Sequence, residues 1–108
     1  MKLVSRSSSL LLLVILLSAC ANKVVEIKQG SEKISVADKS LVGKCKSKGK
    51  VTVSVTSKVG IYTRDIDTVE GNLTQLAKNS AVSEGADTIV RGASTNYGER
   101  EFELYQCR

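Results

Sequence analysis

Three cysteines and no histidine limit the chemistry open to this chain of 108 residues. Without an imidazole, the usual Ser-His and Cys-His pairs that activate a nucleophile cannot form. Cys20, Cys45 and Cys107 lie far apart, with no CxxC spacing of the kind that holds zinc. Paired carboxylates are the remaining route to catalysis, and the acids that cluster are Asp65, Asp67 and Glu70. They fall where a helix is expected to begin. The helix dipole stabilises negative charge there, so capping explains them better than acid-base work or calcium binding. Glu99, Glu101 and Glu103 alternate and read as the wet face of a strand. Asn72-Leu73-Thr74 matches a glycosylation sequon, but a helical position makes that a chance match. The expectation is a protein without catalytic residues, metal or cofactor.

Cys20 closes a segment of three parts: a basic start with Lys2 and Arg6, an apolar run from Leu10 to Leu17, and the small pair Ser18-Ala19. That is the layout of an export signal. The run is far shorter than the roughly 20 residues a helix needs to cross a bilayer. It cannot serve as a permanent membrane span by itself. Leu17-Ser18-Ala19-Cys20 resembles the lipobox of bacterial lipoproteins, which implies lipid on the Cys20 sulfur, cleavage just before it and acylation of the new amino group. A plain secretory signal followed by an ordinary cysteine is the competing reading, and it leaves an odd thiol. Several acyl chains, at about 0.8 kcal/mol per buried methylene, would anchor the protein for good. By resemblance to enterobacterial sorting, Ala21 in place of an Asp after the lipidated cysteine favours the outer membrane, with the domain facing the periplasm. The expected organisation is a signal peptide over 1–19, a lipidated N-terminus and short tether over 20–23, and one domain over 24–108.

A domain of this size is marginal without a staple. Cys45 and Cys107 can supply one, and an oxidising envelope compartment would keep the bond closed. A catalytic thiol or a metal pair is the competing role for these two cysteines. The formal charge is +5, and removal of Lys2 and Arg6 leaves +3. The densest run holds Lys44, Lys46, Lys48 and Lys50. These lysines could rest on anionic headgroups or lipopolysaccharide phosphates, at about 1 kcal/mol each near a surface, although such a run is more often a solvated turn. Nucleic acid is a poor partner for an exported chain with few aromatic residues for stacking.

Val24 to Lys28 reads as a short strand. Gln29 to Val42 is an irregular connection with an edge strand. Val51, Val53 and Val55 alternate with Thr52, Ser54 and Thr56, the clearest strand pattern in the chain. Gly60 breaks that run, and Ile61-Tyr62-Thr63 forms a short extension. Asp67-Thr68-Val69-Glu70 marks a helix start. Val69, Leu73, Leu76, Ala77, Ser80 and Ala81 share one helical face, and Gly85 is a natural C-terminal cap. Ala86 to Val90 reads as a buried strand, Gly92 to Gly98 as a turn, and Glu101 to Cys107 as a terminal strand with Phe102 and Leu104 inward. The sum is a small two-layer α+β domain, one helix packed on a sheet of three to five mostly antiparallel strands, closed by one disulfide.

Gly43-Lys44-Cys45, the helix Asn72 to Ala81, Glu84 to Val90 and the closing Tyr105-Gln106-Cys107 together resemble the gammaproteobacterial lipoprotein family catalogued as domain of unknown function 4156. The likeness runs from about Leu41 to the end of the chain. The plan is also distantly similar to the Rcs stress-sensing outer-membrane lipoprotein, although this chain lacks that sensor's proline-rich tether. The family implies a fold and an address, and no activity. Three readings follow, in falling order: a lipid-anchored envelope protein that binds or braces another envelope component, in stress response by the Rcs likeness; an inhibitor of a host or competitor enzyme such as a lysozyme; and a hydrolase using Asp or Ser without histidine.

Overall fold

The structure, a computed structural model, describes residues 25–59 and 62–108. The expected signal peptide, Cys20 and the expected tether therefore lie outside the described residues. Among the described residues nine elements follow one another: a 3-10 turn Ser31–Lys33, strand β1 (Ser35–Val36), a second 3-10 turn Lys39–Leu41, β2 (Lys46–Ser54), β3 (Lys58–Val59), β4 (Tyr62–Thr63), helix α1 (Ile66–Glu84), β5 (Thr88–Arg91) and β6 (Glu99–Gln106). The main sheet has the order β1-β5-β6-β2. β1 runs parallel to β5, while β5-β6 and β6-β2 are antiparallel. β3 and β4 form a separate two-stranded hairpin. This is the expected α+β domain with one helix on a sheet of four strands.

The helix forms because one stripe of its surface is apolar. Val69, Leu73, Ala77 and Ala81, spaced by four, are all fully buried, as residues on one face of a 3.6-residue turn should be. The two alanines bring the helix backbone close to the sheet, and the larger side chains fill the space around them. Leu73 packs in one cluster with Val53, Ile89, Phe102 and Leu104. Each large side chain so buried stabilises the fold by about 1.5–3 kcal/mol relative to exposure. Leu76, also expected on this face, is only half-buried at its margin, and so is Ser80. The helix ends at Gly85, whose φ of 71° suits the left-handed cap and whose N–H returns to Val82 O and Ala81 O.

Four expectations need correction. The helix begins at Ile66 and is capped by Asp65, whose carboxylate accepts the Thr68 N–H at 3.2 Å. Asp67 sits inside the first turn, because the acid three residues before Thr68 is the one that reaches its amide. Val25 to Lys28 is not a strand: the helix side chain of Asn79 takes its hydrogen bonds, donating to Glu26 O at 2.6 Å and accepting from Lys28 N at 3.0 Å. The lysine run is not a free turn. Lys46 to Lys50 forms the first half of β2, paired with Gln106 to Glu103. Finally, Glu103 is not turned to water. The turn Lys39–Leu41 folds over the open face of the sheet and leaves its side chain only 19% exposed.

Candidate functional site

β2 is the outermost strand on one side of the sheet, and it carries most of the lysine run. Two devices shape it. The Cys45–Cys107 disulfide, with Cα atoms 4.5 Å apart, joins the residue before β2 to the residue after β6 and fixes where their pairing begins. A bulge follows: Ser47 faces Tyr105 and Gly49 faces Leu104, so Lys48 is an extra residue with no opposite number. Gly49, at φ 101°, accommodates the bend.

The bulge divides the lysines. Lys50 lies opposite Glu103, on the face away from the helix, with its ammonium 3.7 Å from Glu101. Lys48 faces the helix side, where it lines a groove of about 310 Å³ with Val51, Leu104, Ser80, Ser83 and Glu84, and Lys50 contributes to the rim of the same groove. Lys44 precedes the strand and is exposed, as is Lys46. Among the described residues, Lys44, Lys46 and Lys48 enter no ion pair. The four expected contact residues thus form a basic rim around one sheet edge and not a single flat patch.

The backbone along that edge is also defined. Glu101 gives both main-chain groups to the β5 side, donating to Ala93 O at 2.9 Å and accepting from Gly92 N at 2.8 Å. Thr52, opposite Glu101, must then turn its own N–H and C=O away from the sheet, because antiparallel partners alternate in this way. Lys50 and Ser54 share that orientation by the two-residue repeat.

Of the carboxylates singled out by sequence, all but Asp67 have a polar partner among the described residues. Asp65 caps the helix. Glu70 is held by Arg100 through Nε at 2.9 Å and Nη2 at 3.1 Å, which keeps its carboxyl below the usual range. Glu103 takes the Lys39 ammonium on both oxygens at 2.6 Å and the Tyr105 hydroxyl at 3.2 Å; the lysine contact lowers the carboxyl's pKa and raises that of Lys39. Burial works against the charge of Asp87, but the backbone N–H groups of Cys107 and Arg108, each at 2.9 Å, outweigh it and its pKa falls. Among the described residues no group of three or more His, Cys, Asp or Glu side chains is arranged to hold a metal. No described helix is long and apolar enough to cross a membrane.

Sequence reasoning missed the polar stripe of the helix. Gln75 donates to Ser31 Oγ at 3.0 Å and to Asn79 Oδ1 at 2.9 Å, so Asn79 is held in place to grip Glu26 and Lys28. The available signal was the spacing of Gln75, Asn79 and Ser83 by four, which puts them one turn apart on one face of the helix.

No curated protein and no solved structure matches the chain. A family profile described as a domain of unknown function, DUF4156, matches residues 25–107, from the segment that Asn79 grips to the second cysteine of the disulfide. With that match covering most of its length, the chain belongs to the DUF4156 family.

Proposed function

We propose that the protein is a non-enzymatic lipoprotein of the bacterial envelope, lipidated on Cys20 and held at the outer membrane, whose domain binds or braces another envelope component. The observation that carries this reading is where the folded body begins. Glu26 and Lys28 are already fastened to Asn79. From Cys20 to Val25 the chain can reach about 17 Å at full extension. A domain held that short works at the membrane surface, on partners that share it. Two further facts support a binding role. Glu70, Glu103 and Asp87 are engaged in ion pairs and backbone contacts, and of the basic rim around β2 Lys50 alone enters an ion pair among the described residues. A part in stress response rests on the likeness to the Rcs lipoprotein alone.

The test is made in cells. Radiolabelled palmitate should enter the natural chain and not a Cys20→Ser variant, which should also leave the membrane fraction. Crosslinking through the β2 lysines should then give a discrete protein adduct. Unchanged partitioning of the Cys20→Ser chain, or no adduct under any growth condition, overturns the reading.

A further inference from the structure

We propose that the outer edge of β2 receives an extended acidic segment of a partner protein as a fifth strand of the sheet. The inference rests on the binding role above and names the chemistry of the partner. The backbone groups of Lys50, Thr52 and Ser54 face away from β6, and among the described residues none of them hydrogen-bonds another main-chain group on that side. An unpaired row of this kind is a template for strand addition.

Two independent features choose the occupant. The first is charge. Lys44, Lys46, Lys48 and Lys50 border the edge, whereas the acids on the outer face, Glu99, Glu101 and Glu103, belong to β6 behind it and a single acid of α1, Glu84, stands at the groove. Lysines along an edge oppose pairing with a second copy of the same chain, and they attract a strand with acids at alternate positions. The second is the groove on the helix side. A strand laid beside β2 directs every other side chain towards the helix, over Val51 and Leu104, beneath Ser80 and Ser83 and between Lys48, Lys50 and Glu84 at the rim of the groove. The small serines leave room there for an aliphatic side chain. The edge therefore fits a segment that alternates acid with aliphatic: acids beside Lys50 and Thr52, aliphatics towards the groove.

The probe is an octapeptide alternating glutamate and valine, added to the purified full chain in detergent micelles. Its counterpart with glutamine for glutamate, and phosphatidylglycerol vesicles, serve as comparisons. The acidic peptide should slow amide hydrogen exchange at Lys50, Thr52 and Ser54, while the Val51 and Val53 amides, already bonded to β6, stay as they were. Thr52→Pro removes an outward N–H without touching the β2-β6 ladder, and it should weaken peptide binding about tenfold or more with its thermal melt little changed. Replacing Lys46 and Lys50 by Glu should weaken it as well. Exchange measured on the unaltered chain keeps the test independent of how well any variant folds.

Peptide bound equally by Thr52→Pro, protection confined to other amides, or binding of vesicles but not of peptide each overturns the proposal. So does protection of the same amides by self-association of the chain. A Thr52→Pro chain that still yields the envelope adduct keeps the tethered binding role and removes only the strand addition.

Discussion

Arg100 grips Glu70 with two parallel hydrogen bonds and so fastens β6 to the second turn of α1. A third bond, from Nη1 to Gly92 O at 2.7 Å, holds the start of the loop that follows β5. The pair is about four-fifths buried, with side-chain exposures of 20% and 24%, and charge-assisted bonds in such a setting are stronger than surface ion pairs. Arg100→Ala should destabilise the domain by about 2 kcal/mol, read as a lower urea midpoint at unchanged slope. Glu70→Gln, which keeps one acceptor, should cost less. A midpoint unmoved by Arg100→Ala would show that the contact is ornamental.

Acid should unfold the protein through three carboxylates. Glu70, Glu103 and Asp87 all have folded pKa values below their ordinary ones. The stability they confer is full above the unfolded values, about 4.3 for Glu and 3.9 for Asp, and is lost as pH falls through the depressed folded values. The urea midpoint should be similar at pH 7 and pH 5 and clearly lower at pH 3. Lys39, raised by Glu103, has the opposite sign: its contribution is present below the ordinary lysine value and is lost as pH rises through the folded one. A midpoint level from pH 5 to pH 2.5 is incompatible with these contacts.

The disulfide spans 62 residues. In the chain-entropy model a loop of that size stabilises the folded state by on the order of 4 kcal/mol. For a domain of this length, each kcal/mol moves the melting temperature by about 4–8 °C. Cys45→Ser paired with Cys107→Ser should therefore melt at least ~15 °C lower by circular dichroism. Equal melting of the two forms would remove the staple from any account of this fold.

The core prediction concerns Leu73, fully buried between the helix and the sheet. Leu73→Ala leaves a cavity among side chains held from both layers, and the expected cost is about 2–5 kcal/mol. Ile66→Ala, at a side chain 59% exposed on the same helix, should stay within about 0.5 kcal/mol. Chemical denaturation of both variants separates burial from helix propensity.

Asn79 offers a local test. Asn79→Ala removes both bonds to the N-terminal segment, so the Lys28 amide should exchange faster and proteases should trim the chain before Gly30. Global melting should change little, since the core face of the helix is untouched. Unchanged exchange at Lys28 would mean that other contacts hold the segment.

Much of this fold was legible because its core follows simple periods. Val51 and Val53 alternate, Val69 to Ala81 recur every turn, and Gly85 stops the helix; each signal is local, and local signals survive in sequence. The misreadings share a different cause. Val25 to Lys28 has the composition of a strand, yet its backbone bonds go to an amide side chain more than fifty residues away. Lys46 to Lys50 has the composition of a turn, yet pairing with β6 and the bulge at Lys48 extend it. Glu103 looks solvated until Lys39, 64 residues earlier, covers it. The basic rim was visible as a run of lysines, whereas its division between two faces depends on the bulge, which no pattern of residue types announces.

The disulfide also separates the molecule into a ring, Cys45 to Cys107, and a leader, Val25 to Lys44, outside it. Tension between the N-terminal side and a partner held on the edge of β2 travels along the leader and enters the ring at Cys45, where β2 begins. A steady pull can peel away the grip of Asn79 and the two residues of β1, while the helix, β5 and β6 lie within the covalent loop beyond the path from Cys45 to the edge of β2. The leader is a mechanical fuse, and the covalent closure of the ring is untouched when it gives.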